Sequence, residues 1–541
     1  MAFIKSSAST ASELIEVVID DQKSNLESLE VPESGDRYRF ERWFSTSPVA
    51  KTVEEEEYAL PNFGREASWE KKIVTWIGEK ELRKFDLSKR KIIQQLERDI
   101  AKIDKLVAKQ LDAILHHEKF QRLEASWRGI EHLVECKDIT DSRDSILLQV
   151  LNVTWPELRN DQEGAIEFDQ SQFFKKIYEQ GIGTPGAIPY SAILVDFEIH
   201  PRPKRNHPYD DISILRQLST TAAAAFAPLF INADPSMFSV DSFSDLRQSG
   251  DTLEKLHSQL DFFQWQRFRE SEESRFVSVL CPRMLIRRPY RPELDFDLGF
   301  AYEERTESQR DYLWCGATVA MGEVLIRNFA ESNWFANIRG IERDVISGGM
   351  VVGATQDNFL NEPDRVSPKA LTDIVISDGF ERQLARLGFT ALCACKDTSL
   401  AAFYSCPSVQ KPRKYSSVEA SANAELSAMT NYILCASRFG HYVKWLSRDR
   451  IGSAIDANEI QDWLTDWLVD YVNRDSDASR SARAEKPLLD AAVQVRAKPG
   501  KPGEFDCTIL LEPFHSFDNI RASLKLETNL TKNTSTSSKR P

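Results

Sequence analysis

The chain has 541 residues, 41% hydrophobic and 28% charged, with formal charge -14 and a pI near 5.3; single cores stop growing near roughly 250 to 300 residues, so two or three domains are expected. The acidic balance excludes a dedicated nucleic-acid or anionic-membrane binder, and the runs PRPKR and RMLIRRPYR read as solvated loops within it. No apolar run reaches membrane-span length, the start MAFIKSSASTASELIE has no apolar signal core, and the eight cysteines lack a framework spacing, which together read as a soluble, reduced, cytosolic chain.

In chain order, residues 1 to 70 combine a short helical pattern, SELIEVVIDDQKSNL, with proline breaks and the acid run EEEE, and read as a flexible arm. From Ser88 the apolar spacing of Ile93, Leu96, Ile100, Ile103, Val107 and Ile114 predicts an amphipathic helix. After a break at HHEKF, Phe120, Leu123, Trp127, Ile130 and Val134 predict a second, or the continuation of one long bent helix.

Between about 145 and 400, β-type runs alternate with helical ones. The expected strands are SILLQVLNVTW, YSAILVDFEI, RFVSVLCPRMLI, WFANIRG, DIVIS and FTALCAC. The expected helices are DQSQFFKKIYEQ, DISILRQLSTTAAAAFA, DTLEKLHSQLDFFQWQRFRESEE, DYLWCGATVAMGEVLIRNFAESN and GFERQLARLG. Arg267 with Glu270, and Arg269 with Glu273, have the spacing of a surface ion-pair ladder on one of these helices. The alternation predicts an α/β fold, α+β overall.

A long helix is expected from near Ser421, and another capped by Asp456 with Glu459 three residues on. In the latter, Ile460, Trp463, Leu464, Trp467, Leu468 and Tyr471 form one stripe, read as core packing. Three β runs follow. In FDCTILLE, Phe505, Cys507, Ile509 and Leu511 alternate with more polar positions, as Ile520, Ala522, Leu524 and Leu526 do in IRASLKLE. With VQVR they make a hairpin-rich piece whose free edges invite strands from another chain.

No chemical constellation survives inspection. GIGTPG at 181 to 186 matches G-x-G-x-x-G, but a helix precedes it and a strand follows, the reverse of a dinucleotide site; Gly181 is expected to end the helix. HEKFQ lacks the second histidine of a zincin, and the cysteines Cys393, Cys395 and Cys406 read as buried small hydrophobes. Glu293, Asp295 and Asp297 read as solvated acids. No catalytic, cofactor or metal residue is assigned, and no enzyme is expected.

The stretches LDAILHHEKFQRLEASWRGIEHLV, RFRESEESRFVSVLCPRMLIRRPY, SVQKPRKY, ANAELSAMTNYILCASRFGHYVKWLSRDRIGS and KPGKPGEFDCTILLEP resemble, in order and over residues 70 to 528, the large subunit of the type VI secretion contractile sheath, the TssC/VipB/EvpB family. Glu118, where the family commonly has proline, and GIERDVISGGMVV, in place of a glycine-rich run, depart from it. The resemblance implies a structural subunit that pairs with a small sheath subunit (TssB/VipA). It implies polymerisation with copies of itself around a tube of Hcp rings, on an envelope-anchored baseplate in the bacterial cytoplasm, and contraction that drives the tube out to deliver effectors.

It also implies a C-terminal domain of gp25-like fold nearest the tube, with strands in an intersubunit sheet, and recycling by the ClpV ATPase through an N-terminal helix. On this chain the strand residues are Phe505, Cys507, Ile509, Leu511, Ile520, Ala522, Leu524 and Leu526; the tube-facing candidates are Lys444, Arg448 and Arg450; the ClpV helix falls on Leu14, Ile15 and Val18. The expected organisation is an arm at 1–70, a helical region at 71–144, an α/β sheath domain at 145–404, a gp25-like domain at 405–528 and a disordered tail at 529–541. A self-sufficient bacteriophage-like tail sheath is the alternative. A nucleotide-binding enzyme is a further alternative and would need GIGTPG to hold phosphate.

Overall fold

The computed structural model describes residues 2–5, 13–15, 17–18, 68, parts of 71–76, 89–141, 145–291, 302–357, 369–475, 480–498, 505–513 and 524–530, the longer stretches with short gaps. Outside them lie EEEE, Glu293, Asp295, Asp297, Asp456, Ile520, Ala522 and residues 531–541. The chain divides into two compact units, one of Met1–Asp21, His116–Pro289 and Thr306–Pro541, the other of Gln22–Leu115 and Tyr290–Arg305.

The described part of the smaller unit is dominated by helix α1 (Lys89–Leu115). Asp99 gathers the Trp76 indole at 3.2 Å, Gln95 at 3.1 Å and Lys102 at 3.0 Å. Burial pushes its carboxyl up, but these donors hold it below its ordinary value. The Tyr302 hydroxyl donates to Asp112 at 2.7 Å.

The larger unit is built on a ten-stranded mixed sheet. Its centre is parallel: β5 (Tyr190–Ile199), β6 (Leu229–Ala233), β7 (Val277–Cys281) and β11 (Phe389–Ala394) lie side by side. One flank adds β12 (Ala401–Phe403) and β10 (Met350–Val351), both antiparallel. The other carries β1 (Ala2–Lys5), β2 (Glu13–Ile15), β3 (Val17–Val18) and β4 (Ile146–Val150). β1 is antiparallel to both β4 and β5.

The strands are apolar on both faces because helices cover both, as expected of a parallel sheet. Ile193, Val195, Leu229, Ile231, Val277 and Val279 point into one core with α3 (Trp155–Gly164), α4 (Asp211–Ala225) and α6 (Asp378–Arg386). Ala192, Leu194, Phe230 and Leu280 point into the opposite core, with α2 (Glu118–Thr140) and α5 (Ala317–Ser332). A hairpin of β8 (Met284–Arg287) and β9 (Leu313–Cys315) packs on that second side.

The C-terminal part has a third core. Helices α7 (Val418–Ser427), α8 (Thr430–Arg450) and α9 (Ala457–Val469) lead into an antiparallel sheet of β13 (Leu488–Ala497), β14 (Phe505–Pro513) and β15 (Leu524–Leu530). Leu464 and Leu468 are buried there, with Ile460, Trp463, Trp467 and Tyr471 packed around them, so the stripe is core. Phe439 stacks on Trp334 at 4.7 Å between ring centres and meets Trp467 and Tyr471 edge-on.

Several expectations are corrected. WFANIRG is not a strand: Asn333 ends α5 with φ 60°, and Trp334, Phe335 and Ile338 plug cores from irregular backbone. DIVIS is not a strand either; Thr372, the residue before it, makes an isolated bridge to Met284 of β8. RFVSVLCPRMLI is two strands, parted at Pro282, which offers no N–H to a ladder. The helix expected over 251–273 is broken into Leu253–His257, Leu260–Phe262 and Phe263–Arg269, because Phe262, Trp265 and Phe268 all turn into one core. Arg269 belongs to no surface ladder: it is buried and donates to the carbonyls of Val409 at 3.0 Å and Arg386 at 2.9 Å, and burial lowers its pKa to about 10. Gly181 does not end its helix either. A π-helical segment, Lys175–Gly183, runs through it. The order helix, loop, strand stands, so no helix N-terminus faces a phosphate.

Candidate interaction surfaces

Helix α2 carries its apolar residues on two opposite faces. Its N-terminus is capped by His117, whose Nδ1 accepts from the Lys119 N–H. The inward face is narrow and polar in part. Gly129 lets Val319 of α5 approach where a Cβ would lie 2.9 Å from it, and Leu133 fits against Gly322. Glu124 pairs with Arg287 at 2.8 Å. His132 Nε2 lies 2.9 Å from Glu323, which also accepts the Val352 N–H at 2.7 Å.

Phe120, Leu123, Trp127 and Val134, spaced by three, four and seven residues, fall on the opposite side and are 37%, 43%, 60% and 40% exposed. The periodicity that predicts this helix therefore marks its solvent face, with only Ile130 of that set packed against the core. A contiguous apolar stripe of this kind is an interaction surface by default.

The C-terminal sheet offers a second surface, placed otherwise than expected. Phe505, Cys507, Ile509 and Leu511 do share one face, and the last three are buried in the third core. Their strand is central: β14 pairs with β13 from Leu488↔Pro513 to Ala497↔Phe505 and with β15 from Phe505↔Leu530 to Leu511↔Leu524. Both of its edges are thus taken within the chain, and no added strand can pair there. Among the described residues the outer strands are β13 and β15, and Leu524 and Leu526 lie in β15.

The remaining candidates separate. Lys444 turns back on its own chain, its ammonium 4.5 Å from the centre of the Phe226 ring and 3.4 Å from the Ala224 carbonyl at the end of α4. That is a helix-terminus contact, not a solvent-facing charge. Arg448 and Arg450 lie on the last turn of α8, with side chains outside the described residues. Leu14, Ile15 and Val18 are in strands, not in a helix: Leu14 pairs with Lys5 and Leu147, and Val18 with Val195. The open flank of β4 and β5 supplies backbone partners that an isolated short helix would lack.

Burial pushes the Cys393 and Cys406 thiols up to about 12, leaving them protonated at neutral pH. Among the described residues no helix is long and apolar enough to cross a membrane.

Residues 97–410 match the family described as EvpB/VC_A0108, tail sheath N-terminal domain, and residues 419–530 match the EvpB/VC_A0108, tail sheath gpW/gp25-like domain. The type VI secretion system sheath protein TssC1 of Pseudomonas aeruginosa is 34% identical over 462 residues, which cover 84% of this chain and 90% of that protein. The chain therefore belongs to the type VI secretion tail sheath family, whose members are structural proteins and not enzymes.

Proposed function

We propose that this chain is the large subunit of a heterodimeric contractile sheath. It pairs with a small sheath subunit of the TssB/VipA kind, and the heterodimers polymerise around an Hcp tube on a baseplate in the cytoplasm. Contraction drives the tube outward for effector delivery. The observation that carries this reading is the C-terminal sheet, three strands wide with β15 at its rim, because strand addition at an open edge ties protomers together through backbone hydrogen bonds. The intersubunit residues are then Leu524 and Leu526, with Ile520 and Ala522 just before them, while Phe505, Cys507, Ile509 and Leu511 hold the sheet from within.

The exposed stripe of Phe120, Leu123 and Trp127 supports a second contact, suited to an amphipathic helix of the small subunit. Arg448 and Arg450 are the tube-facing residues of this reading; Lys444 is withdrawn from it. ClpV, if it grips Leu14, Ile15 and Val18 as a helix, acts on a segment that has left the sheet.

The test is co-expression with a small sheath subunit, using the full chain and a chain ending at Pro513, followed by electron microscopy. Tubules from the full-length pair and none from the truncated pair are expected. Equal assembly by both overturns the strand-addition account, and tubules from this chain alone point to the self-sufficient phage-like sheath instead.

A further inference from the structure

Where β5 ends and α4 begins, two histidines close on one buried carboxylate. His200 follows the last residue of β5, Asp211 is the first residue of α4, and His207 sits in the loop between them, pinned by paired backbone bonds between Lys204 and His207 at 2.7 and 3.0 Å. Asp211 is fully buried, with Oδ2 3.0 Å from His200 Nδ1 and Oδ1 2.6 Å from His207 Nε2. The three ligand atoms lie within 4.8 Å of one another. We propose that His200, His207 and Asp211 bind a divalent transition-metal ion, with zinc the best match.

The ligand chemistry is that of a borderline ion: two imidazoles and one carboxylate, with the remaining position left to water. Ligand atoms around a tetrahedral zinc at about 2.0 to 2.1 Å are roughly 3.3 Å apart, so the His–Asp separations of 3.0 and 2.6 Å open slightly and the widest separation, within 4.8 Å, closes. The supporting shell is in place. The Trp155 indole donates to Asp211 Oδ1 at 2.7 Å, and the His200 backbone N–H donates to Oδ2 at 2.9 Å, fixing the carboxylate. Asp234 Oδ2 lies 3.5 Å from His200 Nε2, so a proton held there leaves Nδ1 free to ligate, the carboxylate–histidine–metal arrangement. His200 and His207 retain 15% and 22% side-chain exposure, which gives an ion a way in. Binding replaces the protons now shared between ring and carboxylate and braces the β5–α4 connection without new chemistry. In the sequence signal, H-x6-H-x3-D, only His207 and Asp211 have a helical i,i+4 spacing, and the first histidine is separated from them by the basic run.

The test uses untagged full-length protein, co-purified with its small subunit, titrated with Co2+ and Zn2+ alone. One equivalent of Co2+ should produce visible d–d absorption, and Zn2+ should raise the melting temperature. His207→Gln, a change at the more exposed of the two histidines, should weaken Co2+ binding at least tenfold and abolish the zinc-dependent rise. His200→Gln should do the same, and circular dichroism of each variant guards against a folding defect. No binding by the wild type, or unchanged affinity in a folded variant, overturns the proposal.

Discussion

His132 on α2 and Glu323 on α5 meet with 2.9 Å between imidazole and carboxylate, at a place where neither helix is open to water. Burial by itself pushes the Glu323 carboxyl up, yet His132, the Val352 N–H and Arg327 hold it below its ordinary value. A depressed carboxylate stabilises the fold above its unfolded pKa, and that contribution fades as pH falls through the folded value. Glu323→Gln should therefore cost about 3 kcal/mol at neutral pH, as expected when a buried charge loses its partner. It should also flatten the acid limb of stability below the ordinary value of 4.5. Urea unfolding across pH measures both, and a neutral-pH loss under about 1 kcal/mol contradicts the assignment.

Asp373 behaves in the opposite sense. Burial raises its pKa to about 7 although Arg283 lies beside it. The folded state then keeps a proton that the unfolded chain releases near pH 4, so this group erodes stability as pH rises from about 4 to about 7. Asp373→Asn keeps the acceptor for the Arg283 N–H, which now bonds Oδ1 at 3.2 Å. The variant should gain stability relative to wild type at pH 8 and little at pH 4. A difference independent of pH removes the titration from the account.

Trp127→Asp and Leu123→Asp test the outward stripe of α2. Both side chains are exposed, so each change should alter the stability of the chain by no more than about 0.5 kcal/mol. Capture of the small subunit in pull-down and tubule formation should fall together. Wild-type assembly by both variants assigns the stripe no role.

Phe439→Ala opens a cavity beneath Trp334, Trp467 and Tyr471 and should cost about 3 to 5 kcal/mol. The loss should appear first as a red shift of tryptophan emission. Unaltered emission together with a loss below about 1 kcal/mol means that this aromatic cluster does not hold the C-terminal core.

The long periodic elements were legible in the sequence: α1, α2, β5, α4 and the alternating face of β14 all stand where their spacing puts them. What was not legible is which side of an element meets the protein. The stripe from Phe120 to Val134 has the form of a core face, yet α2 docks through Gly129, Leu133 and His132, because the groove along α5 accepts small and polar groups. Position within a sheet is similarly invisible locally: nothing in FDCTILLE distinguishes a central strand from a rim, and β13, assembled from residues before the glycine loop, decides it. WFANIRG and DIVIS have β-type composition but find no ladder, since burial alone meets their demand. Glu13–Ile15 and Val17–Val18 read as helical by period and are extended because tertiary pairing outweighs a weak local preference.

The pairing of Phe3 with Ile193 joins positions 190 residues apart. At about 5 to 20 residues per second, synthesis leaves β1 without β5 for roughly ten to forty seconds. A neighbouring chain further along the same message already carries β5 during that interval. The earliest risk to this protein is thus an exchange between chains still being made, before any intended partner is met.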